Sequence, residues 1–259
     1  MNNQPFHLVE MSPWPLIMGT SVTTMIMGIL MWFHLFKSLL FATSFLTSLI
    51  IAFLWWKDIS RESTLQGLHT PMVMIGLRWG MILFISSEIL FFTSFFWAFF
   101  HSSLSPNIDM GMMWPPKNIL TLNPTQVPLL NTIILLSSGA SITWAHHSIL
   151  TSNYNESTIS ILMTIVLGVI FTLLQAFEYF ESSFSISDSI YGSTFFVSTG
   201  FHGIHVIIGT MFIMHTTNRL MNMNFSSNHH FGFEAASWYW HFVDVVWLFL
   251  FIMIYWWGS

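Results

Sequence analysis

Two histidine-containing motifs hold the residues whose types and spacing could do chemistry. His241 and Asp244 lie three apart in the apolar stretch WYWHFVDVVW, and His202 and His205 lie three apart in TGFHGIHVIIG. Such pairs, one on each of two helices, can build a metal site in a helical bundle. Di-metal sites of that kind use more carboxylates than this chain offers at membrane depth. We therefore favour interhelical hydrogen bonds at these positions and predict no metal there.

A second candidate is Glu88, in the apolar run FISSEILFF. Ionisable residues inside a membrane span are costly and often functional. The nearest cation in the run, Arg78, is ten residues away, which is about 15 Å along a helix, so the two cannot pair. Two interpretations stay open: a proton-exchanging or lipid-facing carboxyl, or a protonated acid that hydrogen-bonds a neighbouring helix.

The twelve histidines also raise the possibility of haem. His202 and His215 are 13 residues apart, a rotation of about 220° on a helix, so they cannot face one haem stack together. His147 and His230 lie at predicted span ends, where an interfacial anchor is the simpler interpretation. The chain has no cysteine, which excludes iron–sulfur clusters and thiolate sites. We predict no catalytic centre and no metal in this chain.

The composition identifies the environment of these residues. Of 259 residues, 54% are hydrophobic and 7% are charged, against about 25% charged in soluble domains. This indicates an integral membrane protein. Six Lys and Arg residues and a net charge of −5 offer no basic patch for nucleic acid. The N-terminal stretch has neither the pattern of a signal peptide nor that of a transit peptide.

The apolar runs predict an all-α protein. A bilayer core of about 30 Å needs about 20 apolar residues per helix, and continuous runs exclude a β-barrel. Seven spans fit: 15–36, 38–56, 72–104, 128–150, 157–181, 191–218 and 233–256. The charged connection 57–71 separates a first part, 1–56 with helices one and two, from a five-helix bundle, 72–259. Small residues allow helices to approach closely in lipid, so helix contacts, within the chain or with partner subunits, are expected at Gly76, Gly80, Gly139, Gly200, Gly203 and Gly209.

Cation placement predicts the orientation. Two cations, Lys37 and Lys117, fall on one side of the membrane. Four fall on the N-terminal side: Lys57, Arg61, Arg78 and Arg219. This bias favours an N-terminus on the side equivalent to the cytoplasm.

A polar cluster is predicted on that same side. Arg61, Glu62 and His69 lie in the 57–71 connection, and Arg219 ends the sixth span. Cations at headgroup depth can hold the phosphate of an anionic or zwitterionic lipid. The alternative is that these cations only reflect the usual excess of Lys and Arg on this side of a membrane. The residues alone leave both interpretations open.

Long blocks of the sequence resemble a known family. The blocks include RESTLQGLHTP, GMILFISSEILFFTSFFWAFFHSSL, VPLLNTIILLSSGASITWAHHS and SNHHFGFEAASWYWHFVDVVW. From SPWPL onward the chain resembles subunit III of mitochondrial cytochrome c oxidase. The resemblance implies a seven-helix inner-membrane subunit with its N-terminus in the matrix and its C-terminus in the intermembrane space. It implies a V-shaped arrangement of two and five helices around bound phospholipid, with haem and copper in partner subunits.

The resemblance also assigns residues. It implies lipid-headgroup binding, of the phosphatidylethanolamine or phosphatidylglycerol type, by Trp56, Arg61, Glu62, His69 and Arg219, with Trp97 and His101 near the opposite end of the cleft. Glu88 matches a buried carboxyl at the lipid cleft. His202, His205, His241 and Asp244 match polar positions in helix packing. Family members often carry several histidines near the N-terminus, whereas only His7 precedes residue 34 here, which argues against a proton-gathering role for this segment.

The expected function follows from the resemblance. The chain would be a non-redox core subunit of the oxidase that passes electrons from cytochrome c to dioxygen and pumps protons. It would stabilise subunit I, hold phospholipids and support proton uptake, and would itself catalyse nothing. The alternatives are an independent proton-coupled transporter that uses Glu88, and a haem-binding electron carrier.

Overall fold

The computed structural model describes residues 5–7, 9–108 and 111–259, so parts of the predicted N-terminal segment and of the connection between the third and fourth predicted spans lie outside the described residues. The described chain contains seven helices long and apolar enough to cross a membrane. They are α1 (Trp14–Leu35), α2 (Leu39–Thr64), α3 (Pro71–Leu104), α4 (Val127–Leu150), α5 (Tyr154–Glu181), α6 (Ile190–Met221) and α7 (Phe231–Leu250). Helix α7 continues into a π-helical segment, Phe251–Trp256. The predicted all-α, seven-span class is confirmed.

Helix α2 is longer than predicted. It runs to Thr64, so the first eight residues of the predicted 57–71 connection are helical. The hydrophobic run ends near Trp56, but charged residues are good helix formers and continue the helix beyond the apolar part. Helix α3 has 34 residues and is about 51 Å long, well beyond the thickness of a bilayer core.

Local sequence signals account for several helix starts. Proline stands in the first turn of α1 and of α4, where its missing N–H would have had no intrahelical partner. Asn153 and Ser189 cap α5 and α6, because their side-chain oxygens accept hydrogen bonds from the backbone N–H groups of Glu156 and Gly192.

The chain forms two compact units, which meet in sequence between Leu77 and Arg78. In the first unit, α1 and α2 form a hairpin that turns at Phe36, whose φ is 55°. Gly28 of α1 lies against the backbone of Phe41, where an added Cβ would come within 2.6 Å of the Phe41 nitrogen. The Oγ atoms of Ser21 and Ser48 are 2.6 Å apart. The V-shaped arrangement inferred from the resemblance stays a prediction.

The second unit is centred on Trp240, which is fully buried. Its ring packs against Gly168 of α5 and Gly209 of α6, where added Cβ atoms would lie 2.7 and 2.9 Å from it. Its indole N–H donates a hydrogen bond to the Oγ of Ser138 in α4, at 2.9 Å. One side chain of α7 therefore contacts the three helices α4, α5 and α6.

The predicted glycine contacts are only partly observed. Gly209 meets Trp240, and an added Cβ on Gly139 would lie 2.7 Å from the Oδ2 of Asp244. Among the described residues, Gly76, Gly80 and Gly203 have nothing within 4 Å of an added Cβ. Gly76 and Gly80 therefore make no close helix contact among the described residues of this chain, because spacing does not say which face a helix turns to its neighbour; packing of these glycines on partner subunits stays a prediction.

Candidate functional site

A cavity of about 580 Å³ lies within the first unit. Its polar lining comes from His7, Glu10, Ser12, Asp58, Arg61, Glu62, Gln66 and His69. Its apolar lining includes Trp55, Met72, Val73 and Leu77. The volume falls in the usual range for sites that bind small molecules, and such sites typically combine apolar walls with a few polar groups.

The last turns of α2 present the polar lining. Asp58, Arg61 and Glu62 are three and four residues apart, which places them on one face of the helix. The segment before α1 and the start of α1 pack beside them: the Nε2 of His7 is 3.2 Å from the Oε2 of Glu62, and the indole N–H of Trp14, the first residue of α1, donates to Asp58. The unpredicted extension of α2 thus places the charges on a rigid helix rather than on a loop.

The predicted lipid residues separate into two groups. Arg61, Glu62 and His69 line the cavity. Trp56, on the same helix, is 66% exposed and is not part of the lining. The remaining three belong to the second unit, where Trp97 and His101 are exposed on α3 and Arg219 lies at the end of α6. The guanidinium carbon of Arg219 lies 4.8 Å from the ring centre of Phe225.

Glu88 has a partner on another helix. Its Oε2 is 3.0 Å from the Nε2 of His205 in α6, and its side chain is 22% exposed, so it is less buried than the resemblance implied. The Nδ1 of His205 donates to the Phe201 carbonyl at 2.7 Å, because a carbonyl oxygen can only accept. The Nε2–Oε2 contact then requires one further proton, held by either the imidazole or the carboxyl. Helical position alone did not reveal this pairing.

His202, His241 and Asp244 make separate contacts rather than one cluster with His205. The Nε2 of His202 is 3.2 Å from the Val243 carbonyl oxygen, which joins α6 to α7. The Nδ1 of His241 is 3.8 Å from the Oδ2 of Asp244, too far for a hydrogen bond. The arrangement therefore does not bring the four groups to a common point where they could share an ion.

Sequence reasoning missed Glu178, near the end of α5. Its residue is 3% exposed, and the hydroxyl of Tyr255 donates to its Oε1. Gln175 contributes an amide contact to the same hydroxyl at 3.3 Å. Tyr255 stands in the π-helical segment, and such segments change which face a helix presents. In the sequence Glu178 lies near the end of the predicted span 157–181, where a charged residue is ordinary. No local signal in the sequence marks the π-helical turn that holds Tyr255.

Comparisons with known proteins agree with this architecture. Residues 4–259 match the family model described as cytochrome c oxidase subunit III. Cytochrome c oxidase subunit 3 of Drosophila melanogaster is 60% identical over 258 residues, covering 100% of this chain and 98% of the fly protein. The proteins of that name from Pisaster ochraceus and Pelomedusa subrufa are 58% and 59% identical, covering all of this chain and 99% and 100% of theirs. The chain belongs to the cytochrome c oxidase subunit III family.

Proposed function

We propose that this oxidase subunit, a multi-pass protein of the inner membrane, is a non-redox core component that stabilises subunit I, holds phospholipids and supports proton uptake. Its N-terminus would face the matrix and its C-terminus the intermembrane space. Haem and copper would reside in partner subunits. The bound lipids would be of the phosphatidylethanolamine or phosphatidylglycerol type.

The observation that carries the lipid proposal is the cavity of the first unit. Arg61 offers a planar, bidentate donor that suits a phosphodiester. Glu10 and Asp58 supply carboxylates in the same lining, which suits the ammonium of an ethanolamine headgroup. The apolar walls, with Met72 and Leu77, would contact the first part of the acyl chains. Mixed charges beside an apolar wall favour a zwitterionic headgroup over a simple anion.

Surface exposure supports the contact with partner subunits and lipid. In α1, α2 and α3, only 11% of the most apolar 18-residue window is buried within the chain. Helix faces that are so little buried within the chain must be covered by acyl chains or by other helices in the membrane. A subunit with such faces can bind a larger neighbour and lipid without a catalytic centre of its own.

Lipid retention tests the first part of the proposal. The assembled oxidase with Arg61→Ala should lose tightly held phospholipid relative to the unsubstituted complex, measured as phospholipid molecules per complex by quantitative mass spectrometry. Lys57→Ala is the matched control, because Lys57 is an exposed cation on the same helix outside the cavity lining. Equal lipid retention in the two variants would remove the cavity as the lipid site.

Proton uptake needs a separate measurement. His7, the histidine nearest the N-terminus, is paired with Glu62, so we propose that it acts as part of this charged cluster and not as a free proton collector. The rate of proton uptake into the oxidase should fall when the whole subunit is removed and should stay the same in His7→Gln. A fall in His7→Gln as large as that caused by subunit removal would contradict this assignment.

A further inference from the structure

Three groups with metal-binding side chains converge where α4 ends and α7 begins. Each of His146, His230 and Glu234 offers one ligand atom, and these three atoms lie within 4.8 Å of one another. Two spans, α5 and α6, separate the end of α4 from the start of α7, so both ends reach the same side of the membrane. The cluster lies outside the cavity described above and outside the residues that the resemblance assigns.

His230 is oriented in the way that metal-binding histidines usually are. Its Nδ1 is 3.0 Å from the Ser226 carbonyl oxygen, so Nδ1 carries a hydrogen and donates it. In the neutral ring the lone pair then lies on Nε2. A backbone carbonyl that holds the other ring nitrogen is the common outer contact of a histidine that binds a metal.

The nitrogens that would bind the metal have no hydrogen-bond partner among the described residues. The Nε2 atoms of both His146 and His230 are buried and unpaired, and the His230 side chain is only 4% exposed. The Nε2 of His230 lies 3.4 Å from the Oε1 of Glu234, a separation at which the two atoms make no good hydrogen bond. The lone pair of His230 thus lies beside the Glu234 carboxylate, and His146 offers a ligand atom within 4.8 Å of both, so a cation between them could bind all three side chains.

Glu234 is held in place by Arg78. The Nε of Arg78 donates to Oε2 at 3.1 Å, and its Nη2 donates to Oε1 at 3.2 Å. Such outer contacts commonly fix a metal-binding carboxylate. The Arg78 side chain is 43% exposed, so solvent screens part of the repulsion between its charge and a bound cation.

We propose that His146, His230 and Glu234 form a binding site for a divalent ion of the zinc class. Two imidazoles and one carboxylate suit zinc, which binds nitrogen at about 2.0–2.1 Å in tetrahedral geometry. Ligand atoms at that radius are about 3.3 Å apart, close to the 3.4 Å already found between His230 and Glu234. Side-chain rotation in His146 closes the remaining gap, and water takes the fourth position. This proposal departs from the sequence-based expectation that the chain holds no metal.

A bound ion at this site would cross-link two helices. The ion would join the end of α4 to the start of α7 through bonds that neither helix can make alone. The competing explanation is a proton on His230 that forms an ion pair with Glu234, which needs no metal. The two explanations differ in whether zinc binds.

Zinc binding by the assembled oxidase tests the proposal. The complex is dialysed against a chelator, titrated with zinc chloride, desalted and assayed for zinc by atomic emission. His146→Gln and His230→Gln should each bind one zinc fewer per complex than His147→Gln, or bind that zinc at least tenfold more weakly. His147 is the matched control because it is the adjacent, exposed histidine of α4 outside the cluster. Equal zinc binding in all three variants would overturn the proposal.

A second measurement holds even if the variants fail to assemble. Crystals of the unsubstituted complex soaked in zinc chloride should show an anomalous difference peak, at the zinc edge, at bonding distance from the Nε2 atoms of His146 and His230. Absence of a peak there at saturating zinc would leave the protonated ion pair as the explanation and would reject the metal site. Neither measurement depends on whether the cavity holds lipid, so the two proposals fail separately.

Discussion

The α1–α2 hairpin and the α4–α7 bundle solve the problem of packing in a membrane differently. In the hairpin helices, 11% of the most apolar window is buried within the chain, whereas in the α7 span the share is 61%. Lipid is as apolar as a leucine side chain, so burial in a membrane comes from close helix contact and not from escape from water. The bundle makes most of its contacts within the chain, whereas most of the hairpin surface is not covered by the chain itself.

The two regions share kinds of contact but differ in the size of the side chains that make them. In the bundle, large rings fill spaces left by glycines, and indole N–H groups bond to hydroxyls: Trp240 to Ser138, and Trp247 to Thr132 at 3.1 Å. In the hairpin, hydroxyls contact one another directly, as Ser21 and Ser48 do. The bundle also has a direct hydroxyl contact, between Ser141 and Thr164 at 2.7 Å, and the hairpin has a close glycine contact at Gly28, so what the bundle adds is the buried large rings.

Helix α3 is an intermediate case. Within the second unit it is held by long side chains, through the Arg78–Glu234 and Glu88–His205 pairs, and by aromatic rings such as Phe92 and Phe99, which are buried in the core. Side-chain bridges can hold a helix at a distance, which leaves much of its surface exposed. The same helix therefore contributes to a core and keeps bare faces.

The largest effect is expected for Trp240→Ala. The change removes a fully buried ring that contacts three helices, and such truncations cost about 3–5 kcal/mol of the free energy of unfolding. Denaturation of the full chain in mixed micelles measures the cost. Trp256→Ala is the control, because Trp256 is 69% exposed. If both variants lost the same stability, the bundle would not be the better packed region.

Overpacking of the bundle should come next. An added methyl at Gly168 would lie 2.6 Å from Thr210 and 2.7 Å from Trp240, so Gly168→Ala should cost about 1–3 kcal/mol. Gly203→Ala adds the same methyl on α6 where nothing lies within 4 Å among the described residues. The two variants are compared by the same unfolding assay. Equal stability would contradict the close packing of α5 with α6 and α7.

A smaller effect on unfolding is expected for Gly28→Ala. The added methyl would meet the backbone of Phe41, which cannot rotate away, so α1 and α2 must separate. Because the clash is confined to one helix pair with few buried residues, the cost should be about 1 kcal/mol, the low end for overpacking. Spin labels on the two helices should report a longer distance than in Gly19→Ala, whose added methyl meets nothing within 4 Å. An unchanged distance would contradict this packing.

The contact between Ser21 and Ser48 in the hairpin is tested by a double-mutant cycle. Ser21→Ala, Ser48→Ala and the double variant should give a coupling energy of about 0.6 kcal/mol, the average for hydrogen bonds between membrane helices. The unfolding assay of the full chain measures each corner of the cycle. Additive effects of the two substitutions would show that the 2.6 Å contact contributes nothing net.

The smallest effect is expected for Glu88→Gln, in the assembled oxidase. The amide can still hydrogen-bond His205 across the helix contact, and the redox centres are expected in partner subunits. The haem absorption spectrum of the complex should therefore stay unchanged. Phospholipid retained per complex is measured on the same samples. An immediate large shift in haem absorption would show that α3 acts on a redox centre and would contradict the non-redox proposal.

Much of the fold could be predicted because it depends on local composition. Runs of about 20 apolar residues can satisfy their backbone hydrogen bonds in lipid only as helices, so all seven spans could be counted. The end of α2 was placed too early, since the criterion was hydrophobicity, and charged residues such as Lys57 and Arg61 continue a helix equally well. The cavity residues Arg61, Glu62 and His69 could be grouped because they are close in sequence.

The pairs that join distant segments could not be predicted in the same way. Glu88 and His205 are 117 residues apart, and Arg78 and Glu234 are 156 apart. Helical periodicity gives the face on which a residue lies, but not which helix that face meets. The same limit explains why Gly76 and Gly80 make no close contact among the described residues despite their spacing, and why the contact between Glu178 and Tyr255 could not be predicted.

The sequence by itself determined that this chain forms seven membrane helices, because the cost of an unpaired backbone group in lipid makes a helix the stable structure for such continuous apolar runs. Only the tertiary structure decided which polar groups meet. Helix contacts brought Glu88 to His205, Tyr255 to Glu178, and His146 to His230 and Glu234. In an apolar medium a polar side chain must find a partner within reach, and reach is set by the packing of helices far apart in the chain.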